Sequence, residues 1–204
     1  DVCIGMGYNT GCFLEVLLKR GIEINWHGLE IDKRPLNIAL KDINFVEQWS
    51  PKVLKFFHSL KNTGEWNDSI SKGRVHWGDA RKKINAINNS LKFDVILLDP
   101  FSPSRCPELW SEEFLSLLSK KLSHEGRLIT YSRAASVRGS LKRAGLEIYS
   151  LKPVDDNINQ WSSGTVAMRN PMNEKYISNN QQFKVLSLRE MEHLETRAAI
   201  PYRD

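Results

Sequence analysis

Nothing in these 204 residues approaches the roughly 20 consecutive apolar positions needed to span a bilayer, and no charged-then-apolar secretory leader opens the chain. No membrane association is therefore expected. Cysteine is scarce: Cys3, Cys12 and Cys106 are odd in number and stand at no metal-ligand spacing. That excludes a disulfide framework, gives no reason to expect a metal, and fits a reducing, cytoplasmic setting. There is no internal repeat, and low complexity is confined to a short polar run near Asn179 to Gln182, so a solenoid or fibrous chain is excluded. Acidic residues are outnumbered, 24 against 29 Lys and Arg, for a formal net charge of +5. An anionic partner is consistent with that surplus, but so is an ordinary solvated lysine surface.

What is present is a strand and helix alternation. A hydrophobic fraction of 41% suffices for one core. Asp1-Val2-Cys3-Ile4 reads as the end of a buried strand whose beginning is not in the sequence. Thr10 to Arg20 then carries Phe13, Leu14, Leu17 and Leu18 at helical spacing, with Gly21 as its stop. Ile22 to Ile31 is a second strand followed by Pro35 in the first turn of a helix. Val75 to Trp77 and Phe93 to Leu98 are further strands, each followed by an acid. Trp110 to Leu122 is an amphipathic helix, Arg127 to Tyr131 a strand, and Ser136 to Ala144 a helix closed by Gly145.

This order predicts an α/β fold of the Rossmann-like type, with a mostly parallel seven-stranded sheet, helices on both faces and ligands at the carboxyl ends of the strands. Ser50 to Lys72 and the stretch after Pro171 interrupt the rhythm, and neither reads as a second domain. The expected organisation is an N-terminally truncated core over residues 1–170, with 171–204 extending the same domain.

Chemistry-bearing residues recur at the strand ends. The Gly5-Met6-Gly7 turn lets backbone approach a ligand without an intervening Cβ. It lacks the further glycine that a dinucleotide pyrophosphate requires, which points to an adenosyl cofactor without that phosphate pair. Glu30 and Asp32 stand at the end of the second strand, and either of them places a carboxylate to accept hydrogen bonds from ribose hydroxyls. Asp79 is placed for an adenine amino group, for capping the helix that begins at Ala80, or for both. The most specific stretch is Phe93 to Trp110, FDVILLDPFSPSRCPELW, in which Asp99 ends a buried strand beside Phe101. Desolvation there is expected to raise its proton affinity and suit it to accept a proton from an attacking amine. Phe101 and Trp110 either contact substrate or simply pack.

Taken together, these residues resemble the methyltransferase domain of the MnmC family, which completes the methylaminomethyl group on the tRNA wobble uridine. The resemblance rests on Asp1, Gly5, Gly7 and Asn9, with Cys3 where the family has glycine; on Asp32, Lys33, Pro35 and Leu36; and on Gly78-Asp79. Its most specific element is the loop of Leu98, Asp99, Phe101, Pro103, Pro107 and Trp110, followed by Tyr131, Ser132, Ala135, Val137 and Arg138.

The resemblance implies a class I methyltransferase that uses S-adenosylmethionine to methylate the exocyclic amine of 5-aminomethyl-(2-thio)uridine in tRNA. Asp1, Gly5, Gly7, Asn9, Glu30, Asp32, Asp79 and Asp99 would bind the cofactor, and Asp99 would also be the base. Phe101, Trp110, Tyr131, Arg133 and Arg138 would meet substrate, with Lys33, Arg34 and Arg105 adding positive charge toward tRNA phosphates. The stretch from Pro171 is too short for the flavin oxidase domain that follows in bifunctional members, so a stand-alone form is expected, linked to whichever enzyme installs the aminomethyl group. A spermidine-synthase-like aminopropyltransferase and a non-catalytic tRNA-binding module are the alternatives.

Overall fold

The computed structural model describes residues 1–152, 164–173, 177, 179 and 182–204. Part of the polar run at 179–182 thus lies outside the described residues. The chain divides into two compact units, Asp1–Asn88 and Asn89–Asp204.

The first unit contains α1 (Tyr8–Lys19), β1 (Ile24–Glu30), α2 (Arg34–Ala39), α3 (Ile43–Val46), α4 (Pro51–Asn62), β2 (Glu65–Asn67), β3 (Ser71–Trp77) and α5 (Ala80–Lys83). β1 runs parallel to β3, with Glu30 opposite Trp77, and β2 is antiparallel on the other edge of β3. The opening residues run beside β1: Leu29 N donates to Asp1 O and Cys3 N to Leu29 O, each at 2.9 Å. The strand end read from Asp1 to Ile4 is therefore present, with Val2 and Ile4 buried.

Helix α4 shows how the sequence builds this core. Ser50 caps it by accepting from Val53 N, and Pro51 occupies the first turn, where no amide is missed. Val53, Phe56, Phe57 and Leu60 then recur on one buried face, joined by Leu14, Phe45 and Trp49 against Ile24, Trp26 and Val75 of the sheet. Each such large side chain contributes roughly 1.5–3 kcal/mol by burial.

The second unit contains β4 (Phe93–Leu98), a 3-10 turn (Pro107–Trp110), α6 (Glu112–Lys121), β5 (Leu122–Thr130) and α7 (Ala135–Arg143), then β6 (Glu147–Leu151), β7 (Thr165–Met168), β8 (Phe183–Val185) and α8 (Leu188–Leu194). Its strand order is β4-β5-β7-β6-β8. Trp110, Phe114, Leu115, Leu128, Val137, Leu141 and Val166 are among its most completely buried side chains.

The α/β class holds, but a mostly parallel seven-stranded sheet is not what the described residues show. They form sheets of three and five strands, parallel only between β1 and β3 and between β4 and β5, and antiparallel in the other four pairings. One cause lies in the segment that interrupted the sequence rhythm. β2 and β3 are joined by a three-residue link closed by Asp68 N donating to Ser71 O, and a link that short permits only antiparallel pairing. The helix expected over Trp110 to Leu122 also divides. Ser111 is extended, with φ −62° and ψ 147°, and caps α6 by accepting from Phe114 N, leaving Trp110 in the preceding turn.

Candidate functional site

In the first unit, Asp1, the glycine turn, Glu30 and Gly78-Asp79 come together at the carboxyl ends of β1 and β3. Glu30 ends β1 with only 8% of its surface exposed. Its Oε2 accepts from Gly5 N at 2.9 Å, and its Oε1 accepts from the amides of Ile31 and Asp32 at 2.7 and 2.9 Å. Its backbone carbonyl accepts from Gly78 N at 2.8 Å. One residue thus ties the glycine turn to the exits of both parallel strands.

The turn needs its glycines for two reasons. Gly7 lies at φ 98°, and a Cβ there would stand 2.9 Å from the Phe57 ring. Cys3, in the place the MnmC pattern gives to glycine, lies at φ 66° in the left-handed region. That backbone explains the pattern's preference and strains any side chain placed there.

Two polar features around the turn are open. Thr10 donates to Asp1 Oδ2 at 2.6 Å, while Asp1 Oδ1 is buried with no hydrogen-bond partner among the described residues. Gly7 gives α1 no side-chain cap, and there is no acid in the first turn of that helix. The first-turn amides and the helix dipole therefore favour an anionic group, and the orphaned carboxylate oxygen favours a cation or other donor. A zwitterionic amino acid end satisfies both. Thr10 was not found by sequence reasoning, since nothing local marks a threonine as the partner of an acid nine positions earlier.

Of the two strand-end acids, Asp32 is paired with Arg34. Both its oxygens accept from the Arg34 side chain, at 2.7–2.9 Å, and these bonds hold its carboxyl below the usual carboxylate range. Asp79 takes the capping role weighed for it, accepting from Arg81 N at 3.0 Å at the start of α5. Its Oδ2 also accepts from Arg81 Nη2 at 2.8 Å, a pairing that lowers its pKa. Asn9 sits exposed in the first turn of α1.

In the second unit, Asp99 follows the last residue of β4 and is exposed, as is Phe101, at 72%. The desolvation expected of Asp99 is thus not supplied by the Phe101 ring, which turns outward. Arg105 lies over that ring, 5.6 Å from its centroid. Tyr131 is partly exposed and donates its hydroxyl proton to Pro100 O at 2.8 Å.

Two expected substrate contacts are corrected. Trp110 is fully buried, with its Nε1 donating to Phe101 O at 2.8 Å, and so has no face to offer a base. Arg138 is only 2% exposed. It bonds Glu190 at 2.9 Å, Thr165 at 2.9 Å and Ser150 at 3.0 Å, because the inner face of α7 points into the unit. Although burial opposes it, the Arg138 and Ser187 bonds bring the Glu190 carboxyl down to about 2. Among the other cations, Lys33 lies over the Trp77 ring at 5.0 Å and Arg34 is paired with Asp32. Arg133 is exposed and makes no hydrogen bond or ion pair among the described residues.

A glycine turn and a buried acid at the carboxyl ends of parallel strands, with an open helix N-terminus, define an α/β protein suited to an adenosyl cofactor. The chain belongs to the family of S-adenosyl-L-methionine-dependent methyltransferases, whose model matches residues 43–157, and its cofactor is S-adenosyl-L-methionine. It is 31% identical over 208 aligned residues to an uncharacterized protein of Methanocaldococcus jannaschii, covering 100% of this chain and 53% of that protein. It is 30% identical over 152 residues to the tRNA 5-methylaminomethyl-2-thiouridine biosynthesis bifunctional protein MnmC of Campylobacter hominis, covering 71% of this chain and 22% of that protein. The crystal structure of MNMC2 from Aquifex aeolicus is similar, with a TM-score of 0.74 and 28% identity, over 100% of this chain and 60% of that one. The chain thus spans about half the length of one curated relative and less than a quarter of the other. Among the described residues, no helix is long and apolar enough to cross a membrane.

Proposed function

We propose that this chain transfers the methyl group of S-adenosyl-L-methionine to the exocyclic amine of 5-aminomethyl-(2-thio)uridine at the tRNA wobble position. The observation that carries this reading is the similarity to MNMC2 along the whole chain, alongside a relative named for tRNA 5-methylaminomethyl-2-thiouridine biosynthesis. Family membership favours methyl transfer over the aminopropyl alternative.

The cofactor supplies an electrophilic methyl on a sulfonium. Asp1 Oδ1 would accept from its ammonium, and the first-turn amides of α1 would hold its carboxylate. In this reading Glu30 is the ribose acceptor: its Oε2 accepts only from Gly5 N among the described residues, whereas each oxygen of Asp32 accepts two bonds from Arg34. Asp79 would be the residue for the adenine amino group.

The acceptor amine attacks as the neutral base. A nitrogen–carbon bond forms, the sulfur–carbon bond breaks, and the surplus ammonium proton passes to the Asp99 carboxylate. Phe101 stacks on the extruded base, which would also cover Asp99 and exclude water from it. Tyr131 borders the same loop. Arg133 meets a backbone phosphate and makes binding salt-dependent. The aminomethyl group must come from an enzyme that installs or unmasks a primary amine on the uridine.

The test is transfer of radiolabelled methyl by the purified protein to tRNA bearing aminomethyl uridine, with the labelled nucleoside identified after digestion. Label in methylaminomethyl uridine is the expected result. Label in putrescine alone, or tRNA binding with no transfer, would overturn the reading in favour of the aminopropyl or non-catalytic alternative.

A further inference from the structure

We propose that Trp110 and Tyr131 are positioning residues that clamp the segment Asp99 to Phe101 for methyl transfer, an inference that rests on the acceptor reading above. Their side chains donate to two consecutive carbonyls of one loop: Tyr131 Oη to Pro100 O and Trp110 Nε1 to Phe101 O, both at 2.8 Å. The two rings brace one another edge to face, with centroids 5.9 Å apart and planes at 89°. Trp110 is fully buried, so its indole N–H stands in a fixed place and the carbonyl must come to it.

The consequence lies at the other end of the same residues. Pro100 is buried, whereas Asp99 before it and Phe101 after it are exposed. With the carbonyls of 100 and 101 drawn inward, the intervening backbone has little freedom to rotate. The Asp99 carboxylate and the Phe101 ring are therefore held outward as a pair. Beyond Phe101 the loop closes on itself, Arg105 N and Cys106 N both donating to Ser102 O at 2.8 and 3.0 Å. The clamp thus joins a rigid strand to a self-contained turn.

If these two rings served only to pack, phenylalanine would do equally well at both positions. Both here carry a donor, and both donors are aimed at this loop. For a reaction whose rate depends on the placement of attacking and accepting groups, a shift of about 1 Å in such a loop can cost as much as a hundredfold.

The test uses Tyr131→Phe and Trp110→Phe, which keep a ring and remove one donor each. Tyr131→Phe is the decisive variant, because its ring is partly exposed and its loss of one hydroxyl leaves the core intact. It is expected to lower kcat about tenfold while the Kd for S-adenosylmethionine, by calorimetry, stays within twofold. Trp110→Phe should do the same or more. In parallel, trypsin cleavage after Arg105, followed by mass spectrometry, should speed up about fivefold in each variant relative to cleavage elsewhere in the chain.

Unchanged kcat in Tyr131→Phe, with wild type active on aminomethyl tRNA, overturns the positioning role. If wild type labels no such tRNA, the acceptor reading fails instead. The clamp is then judged by cleavage alone: faster cleavage after Arg105 supports it and unchanged cleavage overturns it.

Discussion

At the end of β1, the residues proposed to meet the cofactor are held by main-chain groups converging on one carboxylate, whereas Asp99 to Phe101 is held by side chains 9 and 31 positions away. The first arrangement is a property of strand ends and a tight turn. It needs an acid in one place and glycines in others, and its bonds to Ile31 and Asp32 are local. The second depends on where two aromatic donors come to rest after a helix and a strand have packed. A cofactor common to a large family can be met by backbone geometry. An acceptor site that distinguishes one amine from another has to be shaped by particular side chains.

The contrast is testable in order of expected effect. Asp99→Asn should reduce kcat about a thousandfold, in the range expected for loss of a general base, with cofactor affinity unchanged by calorimetry. A fall in cofactor affinity as large as the fall in kcat would erase the division between the two sites. Glu30→Ala removes the acceptor of three amides and should weaken S-adenosylmethionine binding about a hundredfold. It should also cost about 2 kcal/mol of stability in urea titrations, since bonds to a charged acceptor contribute roughly 1.5–3 kcal/mol. Unaltered affinity would show that the turn needs no carboxylate to hold it.

The third experiment concerns the scaffold of the second unit. Glu190 is held at about 2 by Arg138 and Ser187 against an ordinary value of 4.5, so its contribution is complete above about pH 4.5 and is lost as pH falls toward 2. In Glu190→Gln, stability should be lower than wild type at neutral pH and should decline less steeply between pH 4.5 and 2. Urea midpoints measured across that range would read the difference, and parallel pH profiles would remove Glu190 from the account. The smallest effect is expected of Cys3→Gly. Relief of the left-handed backbone should stabilise the protein by about 1 kcal/mol, or a few degrees in Tm, with no change in kcat.

Much of the first unit was legible before any coordinates. The glycine turn, the acid ending β1, the helix with Pro35 in its first turn and the cap at Asp79 all follow from short-range rules that a linear sequence expresses directly. The different settings of Glu30 and Asp32 were not legible. Glu30 finds the Gly5 amide, 25 residues away, and Asp32 finds Arg34 next door. In the second unit the Asp99 loop was recognisable as unusual, yet of its two aromatic residues Trp110 is buried and Phe101 is exposed, which the sequence left open. Sequence marks Trp110 as special without showing whether its ring faces a ligand or the core.

The basic residues make the same point. Lys33, Arg34, Arg105, Arg133 and Arg138 are equivalent as letters, but Arg138 is spent on a buried pair and Arg133 is exposed without a partner among the described residues.

The sequence by itself determined the alternation of strands and helices, the carboxyl-end location of the acids and glycines, and the resemblance to a methyltransferase domain. All of these depend on periodicity and local turn chemistry. Tertiary structure alone decided that the sheets are mixed, that Cys3 bears a left-handed backbone, and that Asp1 keeps a buried oxygen without a partner among the described residues. It alone aimed the Trp110 and Tyr131 donors at the loop after Asp99, because hydrogen bonds and burial between distant residues are settled only when the core closes.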